Sequence, residues 1–223
     1  MAKVMIDVGA HVGETLSVAM EPAWGFDRIY SFEPAPQCWS ALESLADERA
    51  LILRFGLWSA DDTLELYDPG SIGASVHATK RSGGESTRVE VRDAAAWFRE
   101  NVRTDDEVVM KLNCEGAECE VLDRLLDAGE LAKVSELLVH FDVRKVPGME
   151  SREVDTRRRL EEAGVPYRPA EQLFFGRTTQ EKTRNWLAWY HARGIARYKY
   201  SVLRRGEFAL RKKVYELRRS RAR

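Results

Sequence analysis

The stretch Val4-Met5-Ile6-Asp7-Val8-Gly9-Ala10-His11-Val12-Gly13-Glu14-Thr15 decides the fold, and Tyr30-Ser31-Phe32-Glu33-Pro34 answers it. The first reads as an apolar strand, a glycine turn and a helix start. The second reads as another strand ending on an acid. An α/β protein that holds a nucleoside-bearing ligand begins in this way. Glycines let the backbone approach a ligand where a Cβ would clash. A helix N-terminus offers unpaired N–H groups and the positive end of its dipole. Glu33, at the tip of the second strand, is placed to accept both hydroxyls of a ribose.

The glycine spacing narrows the ligand. Dinucleotide binders read G-x-G-x-x-G, the third glycine packing helix on strand beside a pyrophosphate. This turn reads Asp7-x-Gly9-x-x-x-Gly13 and is led by an acid that would repel a pyrophosphate. It suits a ligand with a cationic amino group, and S-adenosyl-L-methionine carries an ammonium and a sulfonium next to its ribose. The bland alternative is a strand-turn-helix corner with no ligand.

Outward from this corner, strand and helix signals alternate. Val4–Val8, Ile29–Glu33, Leu51–Phe55, Val108–Leu112 and Leu137–Phe141 read as strands, most without the polar alternation of a half-exposed sheet. Helices are expected over Glu14–Met20, from Pro36 to about Asp47, over Ala117–Leu126 and over roughly Ser151–Ala163. Thr63–Tyr67 and Arg88–Arg92 alternate and read as half-exposed β segments. A loop runs from Pro69 to Ser75, and Leu173-Phe174-Phe175 reads as a last short strand. The order predicts a doubly wound, mostly parallel α/β sheet of Rossmann-like type. Such sheets bind ligands beyond the carboxyl ends of their strands, where Asp7, Glu33, Asn113 and His140 all fall.

Bulk properties bound the rest. The 223 residues suit one domain with an extension. No apolar run approaches the roughly 20 residues of a membrane helix. The first strand starts within about three residues of Met1, which leaves no room for a targeting peptide. Cys38, Cys114 and Cys119 lack a C-x-x-C spacing and read as reduced thiols of a cytoplasmic protein. His11, His77, His140 and His191 show no zinc-ligand spacing, so no metal is expected.

Charge is divided unevenly. Residues 1–176 carry 20 Lys and Arg against 33 Asp and Glu, a net −13; residues 177–223 carry 15 against 3, a net +12. The sequence thus divides into a domain over 1–176 and a basic amphipathic helical extension over 177–223. In the extension Trp186, Trp189 or Tyr190, Tyr198, Val202 or Leu203, Leu210, Val214 and Leu217 recur at helical spacing. Packing on the acidic domain or forming a homodimer is one reading. An anionic membrane surface or nucleic acid is the other.

A third string gives the pattern a family. Val109-Met110-Lys111-Leu112-Asn113-Cys114-Glu115-Gly116-Ala117-Glu118 resembles the K-I-D-x-E-G-x-E signature of the FkbM methyltransferases. That family also has a D-x-G-A-x-x-G start, F-E-P after its second strand and a histidine on a late strand. Here these are Asp7–Gly13, Phe32-Glu33-Pro34 and His140. The resemblance covers about residues 4–175. It implies a class I methyltransferase fold, S-adenosyl-L-methionine as cofactor and methyl transfer to a hydroxyl of a sugar, glycan or secondary metabolite. It further implies that Asp7, Gly9, His11 and Gly13 line the methionine end of the cofactor and that Glu33 binds the ribose. Lys111, Glu115 and Glu118 match the fourth-strand motif, and Asn113 stands at a cofactor-side position where the family has Asp.

Methyl transfer to a hydroxyl needs an aligned nucleophile and a proton acceptor. His140 and Glu115 are the candidate bases, with Asp142 more distant. Lys111 is a candidate catalytic residue, or a lysine leaving its strand to pair with Glu115 or Glu118. For Glu115 and Glu118 the structural alternative is capping of the helix that follows. Ser75 and His77 lie in a flexible-looking loop suited to covering a substrate. An amide at position 113 cannot serve as a base. A methyltransferase-like binding module, recruited to RNA or a membrane by its basic extension, is therefore the competing function.

Overall fold

A computed structural model describes residues 1–78, 84–170 and 176–192. The chain divides into two compact units, Met1–Pro169 and Ala170–Arg223. The first is built on a six-stranded sheet in the order β3-β2-β1-β7-β8-β9. Its strands are β1 (Lys3–Val8), β2 (Arg28–Phe32), β3 (Ala50–Leu53), β7 (Glu107–Leu112), β8 (Val134–Val139) and β9 (Tyr167–Pro169). Every neighbouring pair is parallel. The apolar runs of β1, β7 and β8 follow from this arrangement, because central parallel strands are covered on both faces. Met5, Ile6, Val109, Met110, Leu137 and Val139 are fully buried.

Helices connect the strands. They are α1 (Glu14–Ala19), α2 (Pro36–Leu45), α3 (Ala94–Asn101), α4 (Glu118–Asp127) and α5 (Glu150–Glu162). Pro36 opens α2, where its missing N–H is no loss. In α4 the stripe Cys119, Val121, Leu122 and Leu125 is buried, while Glu118 and Glu120 occupy the first turn, where the helix dipole favours acids. The chain leaves β1 through β2 and β3 to one side and returns through β7 to the other. The crevice between the carboxyl ends of β1 and β7 is therefore the switch point of the sheet.

The half-exposed segments are strands, as their alternation predicts, and they form a separate three-stranded sheet, order β4-β6-β5, of β4 (Gly56–Trp58), β5 (Asp62–Tyr67) and β6 (Ser86–Asp93). One helix departs from the sequence reading. Helix α3 was not expected at all. Its signal is Asp93, the last residue of β6, whose Oδ1 accepts the backbone N–H groups of Ala95 (2.8 Å) and Ala96 (3.2 Å). Trp97 and Phe98 of α3 then pack edge-to-face, Trp97 also meeting Tyr30 and Phe32 of β2.

In the second unit, α6 (Thr179–His191) starts at Thr178, whose hydroxyl accepts the Glu181 N–H at 3.2 Å. The strand expected at Leu173–Phe175 and the helical pattern beyond residue 192 lie outside the described residues. No helix among the described residues is long and apolar enough to cross a membrane.

Candidate active site

Two strand-to-helix corners meet at the switch point. The first joins β1 to α1. Gly9 and Ala10 donate their N–H groups to the Phe32 carbonyl, at 3.1 and 3.0 Å, so the turn hangs on the end of β2. Glu33 completes this anchoring: Oε2 accepts the His11 N–H at 2.7 Å and Oε1 accepts the Ala35 N–H at 2.9 Å. His11 itself has a φ of 50°. Its ring Nε2 donates to the Gly70 carbonyl at 3.1 Å, tying the turn to the loop after β5. Burial raises the Glu33 carboxyl above its usual range, against the lowering effect of the Ala35 and His11 amides.

The glycines are required for a reason the sequence did not give. A Cβ on Gly9 would lie 1.8 Å from the Asn113 carbonyl oxygen. On Gly13 it would lie 2.5 Å from Leu45 Cδ1. Both φ values are positive, 77° and 90°. The close approach that glycine permits is to the neighbouring loop and to α2, within the protein itself.

Asp7 is fully buried, opposite Lys111 in the β1–β7 register. Lys111 Nζ stands 3.0 Å from Asp7 Oδ1 and donates to the Gly9 carbonyl at 2.6 Å. The expected pairing of Lys111 with Glu115 or Glu118 is thus corrected: strand register brings a more distant acid directly opposite. Burial raises the Asp7 carboxyl, against the pull of Lys111. The contact with Lys111 is a charge-assisted hydrogen bond to Oδ1. Asp7 Oδ2 and Asn113 Oδ1 are buried and accept no hydrogen bond among the described residues.

The second corner joins β7 to α4. Glu115 has a φ of 54° and Gly116 one of 116°. Fully buried Glu118 organises the turn: Oε1 accepts the N–H groups of Cys114 (3.2 Å) and Gly116 (3.0 Å). Its Oε2 accepts those of Gly116 and Asp142, both at 3.2 Å. These bonds make it the cap of the loop that leads into α4, at whose first position it stands. Burial pushes its carboxyl up to about 7, although these amides work in the other direction. Ser75 and His77 close over this corner. The Ser75 hydroxyl donates to the Glu115 carbonyl (2.7 Å), and His77 Nε2 donates to that of Gly116 (3.3 Å). The loop that reads as flexible is docked at both residues.

His140 follows the end of β8, its N–H on the Leu112 carbonyl. Its Nε2 lies 3.7 Å from Oδ1 of Asp142, which also receives Lys145 Nζ at 2.7 Å. Burial pushes Asp142 up, but a hydrogen bond from Glu115, the Lys145 ammonium and the His140 ring outweigh it and hold the carboxyl below its usual range. Asp142 is therefore closer to the centre of this cluster than its sequence position suggested. The structure gathers Asp7, Gly9, Lys111 and Asn113 in one group, Glu33 with His11 beside it, and Glu115, Glu118, His140 and Asp142 in another. Gly13 instead packs under α2.

The cysteines are unpaired, and burial pushes the Cys38 and Cys119 thiols up to about 11, unsuited to nucleophilic work. Among the described residues no group of three or more His, Cys, Asp or Glu is arranged to hold a metal ion.

A sequence model of the methyltransferase FkbM domain matches residues 7–167. The crystal structure of a methyltransferase FkbM from Methylobacillus flagellatus is similar at 18% identity and a TM-score of 0.47, covering 74% of this chain and 38% of that one. The present chain thus spans well under half the length of that protein. No curated protein matches it.

Proposed function

Because the chain belongs to the FkbM methyltransferase family, we propose that it transfers a methyl group from S-adenosyl-L-methionine to a hydroxyl of a sugar, glycan or secondary metabolite. The observation that carries this reading is the pair of acids Asp7 and Glu33 at the ends of adjacent parallel strands, flanking a glycine turn at the switch point.

The residues fit such a cofactor. Glu33 spends one lone pair of each carboxylate oxygen on a loop amide, which leaves each oxygen a second for a vicinal ribose hydroxyl. Asp7, negative and buried beside the turn, suits the cationic amino-acid end. The unbonded Oδ1 of Asn113 suits a ligand N–H or O–H. When bound, the cofactor supplies a methyl group on a sulfonium, with a neutral thioether as leaving group. The protein's own work is to hold the hydroxyl in line and take its proton. We assign that proton to His140, since imidazole suits proton transfer near neutral pH. Asp142, 3.7 Å from Nε2, stabilises the imidazolium that forms. Glu115, hydrogen-bonded to Asp142, is the second acid of this relay. Asn113 is excluded from it because an amide takes no proton.

Calorimetry with S-adenosyl-L-methionine and S-adenosylhomocysteine tests the cofactor. Saturable binding to the wild type, lost in Asp7→Ala and Glu33→Ala, is expected; absence of heat with both ligands overturns the reading. Methyl-labelled cofactor incubated with sugar and metabolite acceptors tests the rest. Label on oxygen supports it, and label on nitrogen or carbon overturns the hydroxyl assignment. His140→Asn is expected to keep cofactor affinity and lose about 100-fold in transfer.

A further inference from the structure

The glycine turn rests on a polar seam across the sheet. Ser31, Asp7 and Lys111 are register partners on β2, β1 and β7, and partners across parallel strands share a face of the sheet. Ser31 and Asp7 are fully buried, and Lys111 is 8% exposed. An ammonium has three donors. Here Nζ meets Asp7 Oδ1 at 3.0 Å, the Gly9 carbonyl at 2.6 Å and the Val8 carbonyl at 3.4 Å. All three acceptors belong to the end of β1 and the start of its turn.

We propose that Lys111 is a positioning residue that fixes Asp7 and the glycine turn for the amino-acid end of the cofactor, and takes no part in proton transfer. This rests on the reading of the cofactor given above. An ammonium committed to the β1 end has no donor left for an acceptor substrate. Its engagement of Asp7 is on Oδ1, and the buried Oδ2 accepts no hydrogen bond from the described residues. Its hold on the Gly9 carbonyl sets the peptide plane that leads into the N–H groups of the turn. Without Lys111, a carboxylate and a carbonyl would be buried unpaired and would have to turn away.

The test compares two ligands by calorimetry on wild type, Lys111→Met, Asp7→Asn and the double variant. S-adenosylhomocysteine carries the amino-acid end; 5′-methylthioadenosine keeps adenine, ribose and sulfur but lacks it. Each single substitution is expected to weaken S-adenosylhomocysteine by at least about tenfold, the size of one lost charged contact. Methylthioadenosine is expected to stay within about twofold of wild type, being remote from the change. The double variant is expected to lose no more than the worse single one, because both break the same chain of contacts. Equal losses for both ligands, additive losses in the double variant, or unchanged S-adenosylhomocysteine binding in Lys111→Met each overturn the proposal. Should Lys111→Met alone fail to fold, with Asp7 left uncompensated, the double variant carries the same two-ligand comparison. A wild type that binds neither ligand overturns the cofactor reading itself, a result distinct from all of these.

Discussion

The two corners at the switch point solve one problem in different ways. Both turn a buried parallel strand into a helix through residues with positive φ, and both tie the loop amides to a buried glutamate. At the β1 corner that glutamate comes from a neighbouring strand: Glu33 gives one hydrogen bond's worth of acceptor from each oxygen and keeps the rest. At the β7 corner it comes from the helix itself, and Glu118 is engaged four times by three loop amides. A carboxylate with spare lone pairs can receive a ligand, whereas one fully subscribed to its own backbone holds a loop. On the proposed function, that difference leaves Glu33 with acceptor capacity for a ligand and commits Glu118 to its own loop.

The largest effect should come from removing the subscribed acid. Glu118→Ala leaves three buried N–H groups without an acceptor and is expected to lose about 3–5 kcal/mol in denaturant unfolding. A loss below about 1 kcal/mol would put the second corner on a par with the first. Gly9→Ala comes next, at about 3 kcal/mol or more, because the new Cβ meets backbone at 1.8 Å with φ already positive. Gly13→Ala should lose only about 1–2 kcal/mol, since its Cβ meets the tip of the Leu45 side chain, which can move.

The pH dependence sharpens the same contrast. Glu118 is pushed up from 4.5 to about 7 in the folded protein, so between those values the folded state binds more protons than the unfolded one. Its contribution is complete below about pH 4.5 and is lost as pH rises through about 7, a change on the order of 3 kcal/mol. Asp142, held low, acts in the opposite sense. The measurement is therefore the difference in stability between wild type and Glu118→Gln across this range. A difference that stays constant with pH would show that Glu118 does not titrate there.

Much of this could be read from the sequence. β1, β2, β7 and β8 are apolar runs because they are covered on both faces, and the polar residues at or near their ends, Asp7, Glu33, Asn113 and His140, could be located by counting. Partnership could not. Lys111 has Glu115 and Glu118 nearby in sequence, yet strand register sets Asp7 against it, and register is a product of the whole sheet. The glycines announced a turn but not that Gly9 would abut the Asn113 carbonyl. Helix α3 went unseen because Asp93 serves at once as the last residue of β6 and as the helix cap. The β4-β6-β5 sheet joins segments about 30 residues apart, where local alternation gives the strands but not their pairing.

The most direct test of the contrast between the corners is a crystal structure of the chain with S-adenosylhomocysteine. The expected result has both ribose hydroxyls on the Glu33 carboxylate and the amino-acid end at Asp7, with Glu118 still bound to the amides of Cys114, Gly116 and Asp142. A ligand seated away from Glu33, or one that draws Glu118 off those amides, would contradict the account.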